Sequence, residues 1–120
     1  MSYLLVEALE RYHYFYGDSL KVECPTGSGR QMNLKEVADD IACRVARIFV
    51  ADKQGRRPCH GVDRRFAEDP YWRTLVLFYE YFHGDNGRGV GANHQTGRTA
   101  LALRFVEDAA VRRSLEAGCP

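Results

Sequence analysis

The sequence predicts a mainly α-helical fold, and three observations carry that prediction. Apolar residues recur at three- and four-residue steps from Leu4 to Tyr16 and again from Leu34 to Phe49. A third helical stretch runs from about Thr99 to Leu115, with Leu101, Leu103, Phe105 and Val106 on more than one side. Between these stretches lie loops punctuated by Gly and Pro, and only Leu75–Phe82 reads as strand.

In the first helix Leu4, Leu5, Ala8, Leu9, Tyr12, Phe15 and Tyr16 share one wide apolar face, and Gly17-Asp18 punctuates its end. The helix opens at residue 2 or 3, with little room for a capping turn, so it reads as cut rather than begun. Cys24 to Arg30, reading C-P-T-G-S-G-R, is a loop by its composition. Asn33 is a good N-cap for the second helix because Glu36, three residues on, can answer it in a capping box. Leu34, Val37, Ala38, Ile41, Val45, Ile48 and Phe49 then share a face, and the helix is expected to stop near Asp52 to Gly55.

Lys53 to Asp69 holds no clean period and reads as a surface loop. Asp69-Pro70 pairs a cap with a proline at the first helical position, so a short helical turn is expected there. Leu75 to Phe82 is unbroken in apolar and aromatic residues except for Glu80, which favours a buried strand. From His83 to Gly97 the chain reads H-G-D-N-G-R-G-V-G-A-N-H-Q-T-G, a glycine-rich loop ahead of the last helix.

Length and composition bound the answer. A chain of 120 residues has room for one modest domain, and 45% hydrophobic with 28% charged residues is ordinary for a soluble globular protein. With 17 basic against 16 acidic residues, the balance supplies no electrostatic case for a nucleic-acid or membrane partner. No apolar run approaches the roughly 18 residues of a membrane helix. The cysteines at 24, 43, 59 and 119 form no C-x-x-C pair, and the sequence carries no secretory signal. Free thiols in a cytoplasmic chain are therefore expected, with no metal site and no cofactor. Aromatic residues reach 12% and cluster at Tyr12–Tyr16 and Tyr71–Phe82, which suits either a core or a sugar-stacking cleft.

The carboxylate inside V-L-F-Y-E-Y-F asks for a reason. An unpaired buried charge costs several kcal/mol, to order of magnitude, so Glu80 is expected to be ion-paired, hydrogen-bonded or facing a wet cleft. Arg73, Arg88 and Arg98 are within reach as structural partners. The functional reading makes Glu80 a general acid or base, with partial burial tuning its pKa and the glycine loop admitting a ligand. Asp85 is a second carboxylate, but G-D-N-G is a routine turn. His83 and His94 bracket the loop without a metal-ligand spacing, and His13 and His60 read as solvated. Gly87, Gly89 and Ala92 fit a G-x-G-x-x-A pattern, and Ala92 to Thr99 a damaged P-loop, but no βαβ unit follows.

Several long segments are similar, in order, to the C-terminal end of glycoside hydrolase family 63. They are Y-L-L-V-E-A-L (Tyr3 to Leu9), K-V-E-C-P-T-G-S-G-R (Lys21 to Arg30), L-F-Y-E-Y-F-H-G-D-N-G (Leu77 to Gly87) and G-A-N-H-Q-T-G (Gly91 to Gly97). The likeness leans toward the family's bacterial mannosylglycerate and glucosylglycerate hydrolase-like members. It runs from about residue 3 to residue 106, so residues 1–106 are expected to be a C-terminal fragment of the catalytic domain and 107–120 a divergent tail.

The resemblance implies the C-terminal portion of an (α/α)6 barrel and inverting hydrolysis of an α-glycosidic bond, while the apolar run itself adds a short strand or hairpin near Leu75–Phe82. In such chemistry one carboxyl group protonates the leaving oxygen while another activates water, the two standing roughly 6.5–9.5 Å apart. By its position in Y-E-Y-F, Glu80 resembles the family's general base. The resemblance places the general acid on an upstream Asp that this chain does not contain. It marks His83, His94 and Gln95 as cleft-lining, and Tyr79 and Tyr81 stand with them as candidate sugar contacts. Family members carry Trp where this chain has Arg98. The expected partners are a carbohydrate substrate and the missing N-terminal part of the barrel, without which the chain is expected to be inactive. The alternative is a non-catalytic module that binds a glycan or a partner through aromatic residues around Trp72, Tyr79 and Tyr81.

Overall fold

The computed structural model describes residues 2–94, 97 and 99–115. Helix dominates, with four α-helices and two two-stranded sheets among the described residues. The chain divides into two compact units, residues 1–44 and 45–120.

In the first unit, α1 spans Ser2–Tyr16. It ends, as the sequence predicts, at Gly17, whose left-handed φ of 53° suits a residue without a Cβ. Val6 is its one buried residue, while Leu4, Tyr12, Tyr14 and Phe15 are between 60% and 90% exposed. The apolar face read from the sequence is therefore present and largely uncovered. A 3-10 turn at Gly17–Ser19 leads into β1 (Lys21–Glu23), which pairs antiparallel with β2 (Gln31–Asn33) in the register Val22↔Met32. The predicted loop at Cys24–Arg30 is the turn of this hairpin. Its strands escaped the sequence reading because three residues are too few to display an alternating pattern.

Asn33 closes β2 and caps α2 (Leu34–Arg47). The capping box is formed in both directions: the Glu36 N–H donates to Asn33 Oδ1 at 2.9 Å, and the Asn33 N–H donates to Glu36 Oε2 at 2.8 Å. The Asn33 side-chain amide also donates to Asp18 Oδ1 at 2.7 Å, tying the hairpin to the turn after α1. Lys35 Nζ lies 2.8 Å from Glu10 of α1 and 2.7 Å from Asp39. Removing the cap by Asn33→Ala is expected to lower stability by about 1 kcal/mol. Urea titration of the two chains side by side measures that difference, and equal midpoints would rule out a stabilising role for the box.

The last turn of α2 tightens, with Ile48 and Phe49 N–H groups donating three residues back to Val45 and Ala46. Regular helix thus ends about five residues before the predicted stop, although Phe49 remains on the buried side. The core of the second unit is Phe49, Cys59 and Ala102, with Val45, Ile48, Val76, Phe78 and Phe82 packed against it.

The stretch from Lys53 to Asp69 is not the open surface loop the sequence predicts. It folds into a 3-10 turn at Pro58–His60 and the short helix α3 (Arg65–Glu68), and it buries Cys59, His60 and Phe66. His60, expected to be solvated, is only 6% exposed. Its ring lies on Phe66 with centroids 3.9 Å apart, and its Nε2 accepts the Leu77 N–H at 3.3 Å. A nitrogen that accepts carries no proton, so this geometry holds a neutral imidazole. Asp69 caps the next turn as predicted, accepting the Tyr71 N–H on its carboxylate and the Arg73 N–H on its carbonyl.

Burial lowers the His60 pKa and the nearby Arg57 charge adds to it, with Asp63 opposing. Above the ordinary imidazole value of about 6.5 both folded and unfolded chains are neutral at this position. As pH falls through that value the unfolded chain takes up a proton first, so stability is lost from there down to the depressed folded value. We expect the urea midpoint to fall between pH 7 and pH 5, and to fall less in His60→Gln. Identical slopes in the two chains would remove His60 as the cause.

Leu75 to Phe82 departs from the predicted continuous strand. Only β3 (Tyr81–Phe82) pairs, with β4 (Gly89–Val90), in the register Tyr81↔Val90 and Phe82↔Gly89. A short strand or hairpin near Leu75–Phe82 is the sequence expectation, and the hairpin is the form it takes. Ahead of it, Val76 and Phe78 pack against the Phe49 core without strand pairing, because apolar burial here needs no ladder of hydrogen bonds. The last helix, α4, spans Ala102–Leu115 after turn bonds from Ala100 to Gly97 and Ala102 to Thr99. It runs through residue 106 without a break. Cys24 and Cys59 are free thiols, whereas Cys43 is disulfide-bonded, a departure from the expected set of thiols. Among the described residues no helix is long and apolar enough to cross a membrane.

Candidate functional site

The β3–β4 hairpin carries the candidate carboxylate. Its loop, residues 83–88, is fixed by its own polar groups. The His83 N–H donates to the Arg88 carbonyl at 2.8 Å and the Gly87 N–H to the His83 carbonyl at 2.9 Å. Asn86 Oδ1 accepts from the Arg88 N–H at 3.0 Å, and His83 Nδ1 from the Asp85 N–H at 3.3 Å. Asp85 lies in this turn, as its G-D-N-G setting predicts, with its side chain almost fully exposed. Gly87 and Gly89 belong to the hairpin and do not open onto a helix N-terminus. The geometry a phosphate-cradling glycine loop requires is therefore not formed by them.

Glu80 stands at the open end of the hairpin, where its N–H donates to the Ala92 carbonyl at 2.9 Å. That bond fixes the backbone of the carboxylate-bearing residue. The side chain reaches across to the opposite strand end, where Oε2 lies 3.5 Å from the Ala92 N–H. Gly91 makes this crossing possible: its φ is +79°, and a Cβ there would sit 2.6 Å from Glu80 Oε2 and 3.0 Å from the Tyr81 ring. The carboxylate makes no ion pair among the described residues, so neither Arg73 nor Arg88 is its partner. Arg98 lies outside the described residues.

Glu80 is exposed, which corrects the expectation of partial burial within a greasy strand. The physical reason is local: the side chain lies across the mouth of the hairpin beside the Ala92 N–H, away from the Phe49 core. An exposed carboxylate with one weak N–H contact keeps acceptor positions available for water. Tyr81 beside it is 56% exposed, giving the carboxylate an aromatic neighbour with an open face.

The other candidates divide. Tyr79 is half-buried; a Cβ on Gly89 would overlap its ring, and it meets Phe82 edge-on at 6.4 Å. Burial raises its phenol pKa, with Cys59 and Asp63 adding to the effect. It belongs to the packing beneath the hairpin more than to an open surface. His83 and His94 are exposed, His83 in the hairpin loop and His94 after it. Gln95 lies outside the described residues. Trp72 meets Phe66 edge-on at 5.3 Å, with the Arg65 guanidinium 5.0 Å over its ring. Among the described residues no group of three His, Cys, Asp or Glu side chains gathers to hold a metal.

Two hollows lie elsewhere in the second unit. One, of about 550 Å³, is lined by Arg47, Arg56, Arg57 and Arg88 together with Pro58 and Val62 among others. Its neighbour, of about 360 Å³, borders His60, Asp63 and Phe66. The sequence reading missed this arginine set because its members come from α2, the segment just ahead of the 58–60 turn and the hairpin loop. No short motif joins them.

No protein-family model and no solved structure matches the chain. It is similar to the uncharacterized protein YMR196W of Saccharomyces cerevisiae, with 46% identity over 112 residues. That likeness takes in 92% of this chain, which spans about a tenth (10%) of the relative's length.

Proposed function

We propose that the chain contributes the general base, Glu80, to an inverting α-glycoside hydrolase of the family 63 type. On this reading it is the C-terminal portion of an (α/α)6 barrel. The observation that carries it is the setting of Glu80: backbone-clamped at the hairpin mouth, unpaired among the described residues, exposed, and next to the open ring of Tyr81. A base that activates water needs free acceptor positions and a fixed origin, and this geometry supplies both. The uncovered face of α1 and the likeness to a polypeptide about ten times as long support a larger barrel around it. The general acid belongs to that larger part, so the chain alone is proposed to be without hydrolytic activity.

The test is reconstitution. The 120-residue chain, an upstream barrel polypeptide and the two co-expressed are assayed for glucose or mannose release from α-glycosides of glycerate and of neutral alcohols. Hydrolysis by the pair alone supports the reading. Hydrolysis by the upstream part without this chain sinks it.

A second reading rests on the aromatic residues around Tyr79, of which Trp72 and Tyr81 are exposed. There the chain is a non-catalytic module that binds a glycan or a protein. Saturable quenching of Trp72 fluorescence by sugars, in a chain that stays monodisperse, would favour it.

A further inference from the structure

We propose that the hollow bounded by Arg47, Arg57 and Arg88 is a binding site for a small phosphate-bearing ligand, a site separate from Glu80. Four guanidinium-bearing residues line it, including Arg56, against one carboxylate, Asp52. That carboxylate is already engaged. Asp52 Oδ2 lies 3.0 Å from the Arg56 guanidinium, and Oδ1 accepts the Gln54 and Arg56 N–H groups at 2.9 Å each. In the adjoining hollow, Asp63 is likewise held by Arg65 at 2.6 Å. Arg47, Arg57 and Arg88 therefore make no ion pair among the described residues.

Two of the three are held in place. The Arg57 guanidinium donates to the Arg73 carbonyl at 3.3 Å. The Arg88 stem crosses Gly61, where a Cβ would lie 2.7 Å from Arg88 Cγ and where φ is +59°. Any side chain at residue 61 would displace it. The charge of Arg57 is felt nearby: it disfavours protonation of His60 and opposes the burial that pushes the Cys59 thiol up to about 11.

Gathering unpaired like charges around a concavity costs free energy that an anion in the hollow offsets. Planar guanidinium forks match phosphate oxygens in pairs. Charge selects between the common anions: a carboxylate carries one negative charge, whereas a phosphate monoester approaches two and balances the three cations more closely. Val50, Pro58 and Val62 add apolar wall for a carbon skeleton, and about 550 Å³ falls within the range of small-molecule pockets.

The full chain is titrated with inorganic phosphate and, separately, with acetate at matched ionic strength, following arginine side-chain NMR signals. Saturable shifts at Arg47, Arg57 and Arg88 are expected with phosphate, and binding of acetate at least about tenfold weaker. Arg88→Met keeps the stem over Gly61 and removes the fork; it should weaken phosphate binding roughly tenfold or more, as should Arg57→Met. Arg104→Met on α4 should leave it unchanged. If Arg88→Met disturbs the fold, Arg47→Met at the exposed end of α2 gives the same reading. Shifts that do not saturate, that are equal for acetate, or that survive the loss of Arg88 or Arg47 overturn the proposal. The Glu80 reading is untouched by any of these results, since it is tested by glycoside cleavage.

Discussion

Glu80→Gln, in the chain reunited with an upstream barrel, is expected to lower turnover by roughly 10²–10⁴-fold, the typical contribution of a positioned general base. Folding should be unaffected. The side chain is exposed, makes one weak contact to the Ala92 N–H, and holds no ion pair among the described residues. The Glu80 N–H to Ala92 carbonyl bond that shapes the hairpin is made by the backbone and survives the substitution. The amide keeps the size of the carboxylate but cannot take a proton from water. Substrate affinity should change little, so the loss belongs in kcat. Wild-type turnover in this variant removes Glu80 as the base, and a collapse of the urea midpoint would make it structural instead.

Phe49→Ala is expected to destabilise the second unit by about 3–5 kcal/mol, the usual cost of emptying an aromatic core position. Small domains hold only about 5–15 kcal/mol in all, so this is a large share of the total. Phe49 is 6% exposed and meets Phe78 at 5.3 Å and Phe82 at 5.3 Å, the latter edge-on. Phe82 belongs to β3, so the same ring supports the strand that follows Glu80. The variant should show a lowered urea midpoint with hairpin amide protection lost alongside it. Tyr71→Ala, at a residue 87% exposed, should move the midpoint by less than about 0.5 kcal/mol. If both variants behave alike, Phe49 is not the centre of this core. The pair of predictions also separates two failures, because Glu80→Gln removes turnover without stability whereas Phe49→Ala removes both.

The departures from sequence expectation have a common physical origin. Asn33 and Glu36 sit three residues apart and form their capping box through bonds that reach no further, so it was readable. His60 carries no local mark of burial. Its ring is covered by Phe66, and its acceptor is used by Leu77, 17 residues away. The run from Leu75 to Phe82 misleads for a related reason. Its apolar content reports burial correctly for Phe78 and Phe82, but burial against Phe49 does not require strand pairing. Gly91 was legible only as part of a glycine-rich loop. That its missing Cβ makes room for the Glu80 carboxylate depends on which strand end lies opposite.

The sequence by itself determined the helical class, the ends of α1, the cap of α2 and the choice of Glu80 as the residue to ask about. Each follows from spacing within a few residues, where side-chain period, capping and backbone freedom act. Only tertiary structure decided that Glu80 is exposed, that Tyr79 turns into the packing, that His60 is buried, and that arginines from three segments share one hollow. Those outcomes depend on contacts between residues distant in sequence, whose energies no local pattern encodes.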